Sequence, residues 1–206
     1  MDVLGWAVPV MPAIAGLEQS AHVYTSTEVL DQQLKPQRLA VIGAGPIGLE
    51  FASTYAALGT EVTLYHRRAQ LLPHEELSVA QAVAQALEEQ GITLVLASDI
   101  QQGRDTDCGV AVMSGSDEQV YDAVLVAAGR RPNTSQLGLA AAGVETDERG
   151  AIIVNDKLQT TQPHIWALGD VNGGPQYTYV SLDDFRIVKS QLLGDGSYTR
   201  AQRAVL

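Results

Sequence analysis

One cysteine, Cys108, is the only thiol in this chain of 206 residues. An intramolecular disulfide is therefore excluded, and a lone thiol reads as a small core residue or an inert loop residue. Histidine is nearly as sparse: His22, His66, His74 and His164 are scattered, with no two at helical or zinc-site spacing, so no metal site is expected. Basic residues are outnumbered, 13 against 24 acids, for a formal net charge of −11. Nucleic acid and anionic membrane surfaces would repel such a chain, which argues against both as partners. No targeting or spanning segment is expected in it either. The uncharged stretch 3–17 is broken by Gly5, Pro9, Pro12 and Gly16, and Asp2 stands where a signal peptide carries positive charge. A cytoplasmic protein is expected, with no internal repeat and no low-complexity tract.

What is present is apolar substance and glycine. With 46% apolar residues the chain can bury a core and form one large or two small domains. The run Leu39-Ala40-Val41-Ile42 leads directly into Gly43-Ala44-Gly45-Pro46-Ile47-Gly48 and on into Leu49-Glu50-Phe51-Ala52, so a Gly-rich turn joins a buried strand to a helix. Gly43 permits the tight turn, Gly45 removes the side chain that would hold a pyrophosphate off the backbone, and Gly48 lets helix and strand pack closely. Pro46 suits the first helical position, where its missing N–H costs nothing. The first N–H groups of that helix, unpaired within it, favour a diphosphate. Gly59 ends the helix, and Glu61-Val62-Thr63-Leu64-Tyr65 supplies the second strand of a βαβ unit.

Further along, Thr25-Ser26-Thr27-Glu28 is a helix cap, residues 75–90 carry apolar side chains at helical spacing, and 92–96 reads as a third parallel strand. Residues 109–113 and 119–121 read as antiparallel strands about Gly115-Ser116-Asp117, part of a three-stranded ribbon, before the apolar run 123–128. Beyond Pro132-Asn133 the texture changes to short Gly-punctuated segments, with strands at 152–154 and 165–168 and an amphipathic helix at 181–193. The expected fold is α/β: a Rossmann-like doubly wound parallel sheet with an inserted antiparallel ribbon. The expected division is an irregular lead-in at 1–24, a dinucleotide domain at 25–132 and a further segment at 133–206.

The Gly-rich turn with Leu49-Glu50, the segment Ala127-Ala128-Gly129-Arg130-Arg131-Pro132-Asn133, and Trp166-Ala167-Leu168-Gly169-Asp170-Val171 together resemble the middle and late motifs of the pyridine nucleotide-disulfide oxidoreductases, the flavoproteins that include glutathione reductase. Order and spacing match across nearly the whole chain. The resemblance implies that Gly43, Gly45, Pro46, Ile47 and Gly48 face the NAD(P) pyrophosphate, that Glu50 sits near the nicotinamide amide, that Gly129 and Arg130 line a cofactor cleft, and that Gly169 and Asp170 belong to an FAD site. It makes residues 1–24 the end of the first segment of an FAD-binding domain and residues 133–206 the second segment of that domain. Read by themselves, Glu50 is a solvated acid near a helix start, Asp170 a turn residue, and Arg130 with Arg131 surface charges at a strand exit.

The sequence departs from that family in two ways. Pro46 stands where many relatives carry a Tyr that gates the flavin. The upstream FAD motif, the redox Cys pair and the C-terminal dimerisation domain with its catalytic His are not in this sequence. The chain is therefore expected to be a fragment, inactive alone, of an enzyme that is a homodimer when complete and passes hydride from NAD(P)H through FAD to a disulfide or other small-molecule acceptor. A non-enzymatic dinucleotide-binding module, or an oxidase or ferredoxin reductase-type flavoprotein without a redox disulfide, fits the same motifs.

Cofactor choice is read at the end of the second strand. NAD-selective turns place an acid there, which accepts the ribose hydroxyls and repels a 2′-phosphate. This chain has His66 at that position, followed by Arg67 and Arg68. Guanidinium groups pair well with phosphate, and glutathione reductase-like members carry basic residues at the two positions matching the Arg pair. The expectation is NADP over NAD; the plain alternative is that Arg67-Arg68 caps a loop.

Overall fold

A computed structural model of the chain describes residues 2–4, 7–32, 35–73 and 75–203. Gly5 and His74, read above for chain breaking and metal spacing, lie outside the described residues. The elements in chain order are β1 (Asp2–Leu4), β2 (Ala7–Pro9), β3 (Val23–Thr25), α1 (Glu28–Asp31), β4 (Arg38–Ile42), α2 (Pro46–Ala57), β5 (Glu61–Tyr65), α3 (Leu77–Glu89), β6 (Thr93–Val95), β7 (Ile100–Thr106), β8 (Gly109–Ser114), β9 (Asp117–Tyr121), β10 (Ala123–Val126), β11 (Arg130–Pro132), α4 (Leu139–Ala142), β12 (Ile165–Ala167) and α5 (Thr178–Leu193). They form two compact units, Pro9–Gly129 and Met1–Val8 with Arg130–Leu206.

The Pro9–Gly129 unit is built on a five-stranded parallel sheet in the order β3-β10-β4-β5-β6. Alternate residues of each strand serve opposite faces. Leu39 and Val41 of β4 and Leu125 of β10 pack with Leu49, Ala52 and Tyr55 of α2 and Leu87 of α3. Ala40 of β4 and Val124 and Val126 of β10 pack instead with Val110, Val112 and Tyr121 of the antiparallel sheet β7-β8-β9. One face of the parallel sheet thus carries helices, and the ribbon covers the other.

Residues 9–24, read above as an irregular lead-in, pack into this unit. Leu17 is fully buried against the ribbon-side core, and Gly103 N donates to Ala15 O at 2.8 Å. The backbones meet so closely at Gly16 that a Cβ there would lie 1.8 Å from Gly103 O. Val23–Thr25, within that irregular stretch and the cap after it, is an edge strand paired in parallel with β10. Ahead of α1, Thr25 and Glu28 exchange hydrogen bonds, Thr25 N donating to Glu28 Oε2 at 2.7 Å and Glu28 N to Thr25 Oγ1 at 3.4 Å, while the residue that caps the helix, Thr27, makes no side-chain cap bond.

In the other unit β1 pairs in parallel with β12, Asp2 opposite Ile165. Ile152, Ile165, Ala167 and Val171 form one small core, and Leu158 with Ile187 and Val188 of α5 another. The segment 152–154 makes only an isolated bridge, Thr146 to Ile152, instead of a strand. Val154 is followed by Asn155, whose side chain accepts from Lys157 N and Gln159 N and turns the chain.

Candidate functional site

The carboxyl ends of β4, β5 and β10 converge. Gly43 N donates to Tyr65 O at 2.9 Å and Ala127 N to Ile42 O at 2.8 Å, so the turn after β4 is tied to both neighbours. From β4 the chain proceeds outward to β5 and β6, while β10 and β3 lie on the other side. That reversal of order is the switch point at which open α/β sheets take ligands.

Two glycines of the turn are demanded by packing. Gly43 has φ +112°, and a Cβ on it would come within 2.4 Å of Ala127 O; a Cβ on Gly48 would lie 1.9 Å from Gly43 O. Gly45 differs, since nothing lies within 4 Å of where its Cβ would be. Its Cβ position faces open space. Gly45 is also the extended residue that starts α2, with Pro46 next and Leu49 N donating to Gly45 O at 3.1 Å. Pro46 is exposed and Ile47 half-buried at this helix end, where backbone N–H groups lack helical partners. Glu50 is exposed one turn into α2.

At the end of β5, His66 N donates to Val95 O at 2.9 Å and Ala97 N to Arg68 O at 3.0 Å, which fixes the backbone of the basic segment. The imidazole turns toward the Gly-rich loop: Ala44 N donates to His66 Nδ1 at 3.4 Å. This bond puts the ring proton on Nε2, which is buried with no partner among the described residues. Burial, then the charges of Arg68 and Arg67, push the imidazole below its ordinary pKa. His66 is therefore neutral at pH 7. Arg67 and Arg68 are exposed, and among the described residues neither pairs with a carboxylate. Two guanidinium groups stand free at the sheet's carboxyl edge, which suits a phosphate dianion.

Gly129, with φ +128° and open space at its Cβ position, ends the segment after β10. In the other unit the structure brings together Arg130 and Asp170, with Nε and Oδ2 4.0 Å apart, while an Arg130 Nη donates to Ala7 O at 2.5 Å. Asp170 lies on a 3-10 turn, Gly169–Asn172, which begins with Gly169 at φ +71°. Sequence reasoning missed the residue under that turn. Asp184 of α5, 1% exposed, accepts from Gly169 N at 2.8 Å and from Asn172 Nδ2 at 2.9 Å, and pairs with Arg203. Its signal was an acid inside the buried helical stripe Val180, Ile187 and Val188. Cys108 is exposed next to Gly109 at the β7 to β8 turn.

A family model described as pyridine nucleotide-disulphide oxidoreductase matches residues 4–184. Among curated proteins, RclA of Escherichia coli (strain K12) is 40% identical over 197 residues, 96% of this chain and 45% of that protein. The mercuric reductase of Lysinibacillus sphaericus is 40% identical over 192 residues, 91% of this chain and 35% of its own length. Among solved structures, the Cu(II) complex of the HOCl-induced flavoprotein disulfide reductase RclA from Escherichia coli superposes with a TM-score of 0.94 at 39% identity, covering 99% of this chain and 47% of that one. An engineered water-forming NADPH oxidase bound to NADPH gives 0.74 at 26% identity, covering 82% and 38%. The chain spans less than half the length of these relatives.

Proposed function

Because this chain belongs to the pyridine nucleotide-disulphide oxidoreductase family, we propose that it is the nicotinamide-nucleotide-binding part, with a segment of the FAD-binding domain, of a flavin-dependent oxidoreductase. Its working cofactor is NADPH. The observation that carries this is the pairing of a Gly-rich turn open at Gly45 with two arginines at the next strand end that pair with no carboxylate among the described residues.

Gly45 lets the diphosphate reach the first N–H groups of α2, and the bare edge of Gly129 leaves the neighbouring strand end clear. Arg67 and Arg68 meet the 2′-phosphate, and the acid that would repel it is replaced by His66. The engineered oxidase bound to NADPH carries a change of the same kind, an Asp made Ala and the neighbouring Ala made Arg. Asp170, steadied by Arg130, contacts FAD. The chemistry supplied by bound FAD is acceptance of hydride from the nicotinamide and onward reduction of a disulfide or another small acceptor; this chain's share is to hold and orient the nucleotide. The complete protein works as a cytoplasmic homodimer in this reading.

Calorimetric titration with NADPH and NADH tests the cofactor assignment. Charge-assisted hydrogen bonds contribute about 1.5–3 kcal/mol each, so NADPH should bind at least about tenfold more tightly. Replacing both Arg67→Ala and Arg68→Ala should abolish the difference. Equal affinities in the parent, or a preference that survives the double replacement, would overturn the assignment.

A further inference from the structure

We infer that Asp184 is a positioning residue for Asp170, and that Arg203 serves it as counter-charge. The functional meaning of this rests on the flavin reading of Asp170, but the geometry does not.

A carboxylate that is 1% exposed is retained only where donors replace its lost water. Asp184 has three among the described residues, and two belong to the turn that carries Asp170. One oxygen takes Gly169 N at 2.8 Å and Asn172 Nδ2 at 2.9 Å, bridging the first and last residues of that turn. Asn172 extends the brace: Nδ2 also reaches Ala167 O at 3.3 Å, and Oδ1 accepts Gly174 N at 3.0 Å. The backbone around Asp170 is thus held from β12 to Gly174 by a single buried carboxylate and one amide. Asp170 itself is 21% exposed in its side chain and lies 4.0 Å from Arg130 Nε. Its place opposite Arg130 follows from the turn, and the turn follows from Asp184.

The second Asp184 oxygen pairs with Arg203, which also binds Asp183 Oδ2 through Nε at 2.7 Å. Tyr198 Oη donates to Asp183 Oδ1 at 2.7 Å. Burial opposes ionisation of Asp183, but the Tyr198 hydroxyl and Arg203 hold its carboxyl below the usual carboxylate range. Segment 195–203 therefore clasps α5 beneath the turn. Removing Arg203 would leave Asp184 buried with an uncompensated charge, held among the described residues by its bonds from Gly169 N and Asn172 Nδ2.

The test uses nitrogen-proton NMR spectra of the whole chain, reading the exchange of the Gly169 amide and the position of the Arg130 Nε–H signal. Arg203→Gln alone and Asp184→Asn alone should each speed Gly169 exchange at least tenfold and move the Arg130 signal, although neither touches Arg130. The double variant, which replaces the ion pair by an amide pair, should restore both. Asn172→Ala keeps the ion pair and should give a weaker form of the same signature, so the outcome survives if a single charge variant unfolds. Unchanged Gly169 and Arg130 signals in the folded variants, or no restoration in the double, would refute the positioning role. Titration of the parent chain and an Asp170→Ala variant with FAD separates the two readings. If Asp170→Ala leaves FAD binding as it is in the parent chain, the flavin reading fails while the positioning role stands on the spectra.

Discussion

Gly45 and Gly48 belong to one turn and answer to different demands. Gly48 faces Gly43 O, where a Cβ would stand 1.9 Å away, whereas the Cβ position of Gly45 is open. Gly48→Ala should therefore destabilise the chain by about 1–3 kcal/mol, the usual cost of overpacking, as read by urea unfolding. Gly45→Ala should leave stability within about 0.5 kcal/mol yet weaken NADPH binding, because its methyl occupies the space left for the diphosphate. His66 adds a pH dependence of known sign. Its folded pKa is depressed by burial and the two arginines, so the unfolded chain takes up the proton first. Stability should be flat above the unfolded value near 6.5 and fall as the pH is lowered through it. Unfolding midpoints at pH 7.5 and 5.5 should show the drop in the parent and a smaller one in His66→Gln.

Among the elements, those whose residues meet local demands were legible. The Gly-rich turn, α2 with Pro46 at its start, and α3 and β5 all follow from periodicity and turn chemistry, and the structure places them where the spacing put them. What was not legible depends on partners distant in sequence. Val23–Thr25 is too short to show alternation, and it is a strand because β10 offers an edge. Residues 100–106 are polar on one side and become β7 by pairing with β8. In the candidate site, the Gly turn and the Arg pair were visible as motifs, but the brace at Asp184 was not. Its donors come from Gly169, Asn172 and Arg203, whose proximity only the folded chain creates. A comparable long-range joint links sheet and ribbon: Tyr65 Oη and Tyr121 Oη are hydrogen-bonded at 2.8 Å, with their rings edge to face. Burial, together with this bond, pushes the Tyr65 phenol up. Tyr65→Phe or Tyr121→Phe alone strands a buried hydroxyl and should cost about 1–3 kcal/mol; the double replacement should cost less than the two singles added, since no orphan remains. A double-mutant cycle by thermal or urea unfolding checks this.

At the scale of the whole molecule, one unit is a continuous stretch, Pro9–Gly129, and the other is assembled from Met1–Val8 and Arg130–Leu206. The pairing of Asp2 with Ile165 in β1 and β12 closes across the entire first unit. This has a consequence for the order of events during synthesis. Everything the Pro9–Gly129 unit contains is made before any of β12 exists, so it can fold while the ribosome is still working. Of these two paired strands, the earlier one has to wait for the later. Nascent chains stalled before β12 emerges should already resist protease across Pro9–Gly129, while the pairing of residues 2–4 with Ile165–Ala167 forms only after those later residues arrive.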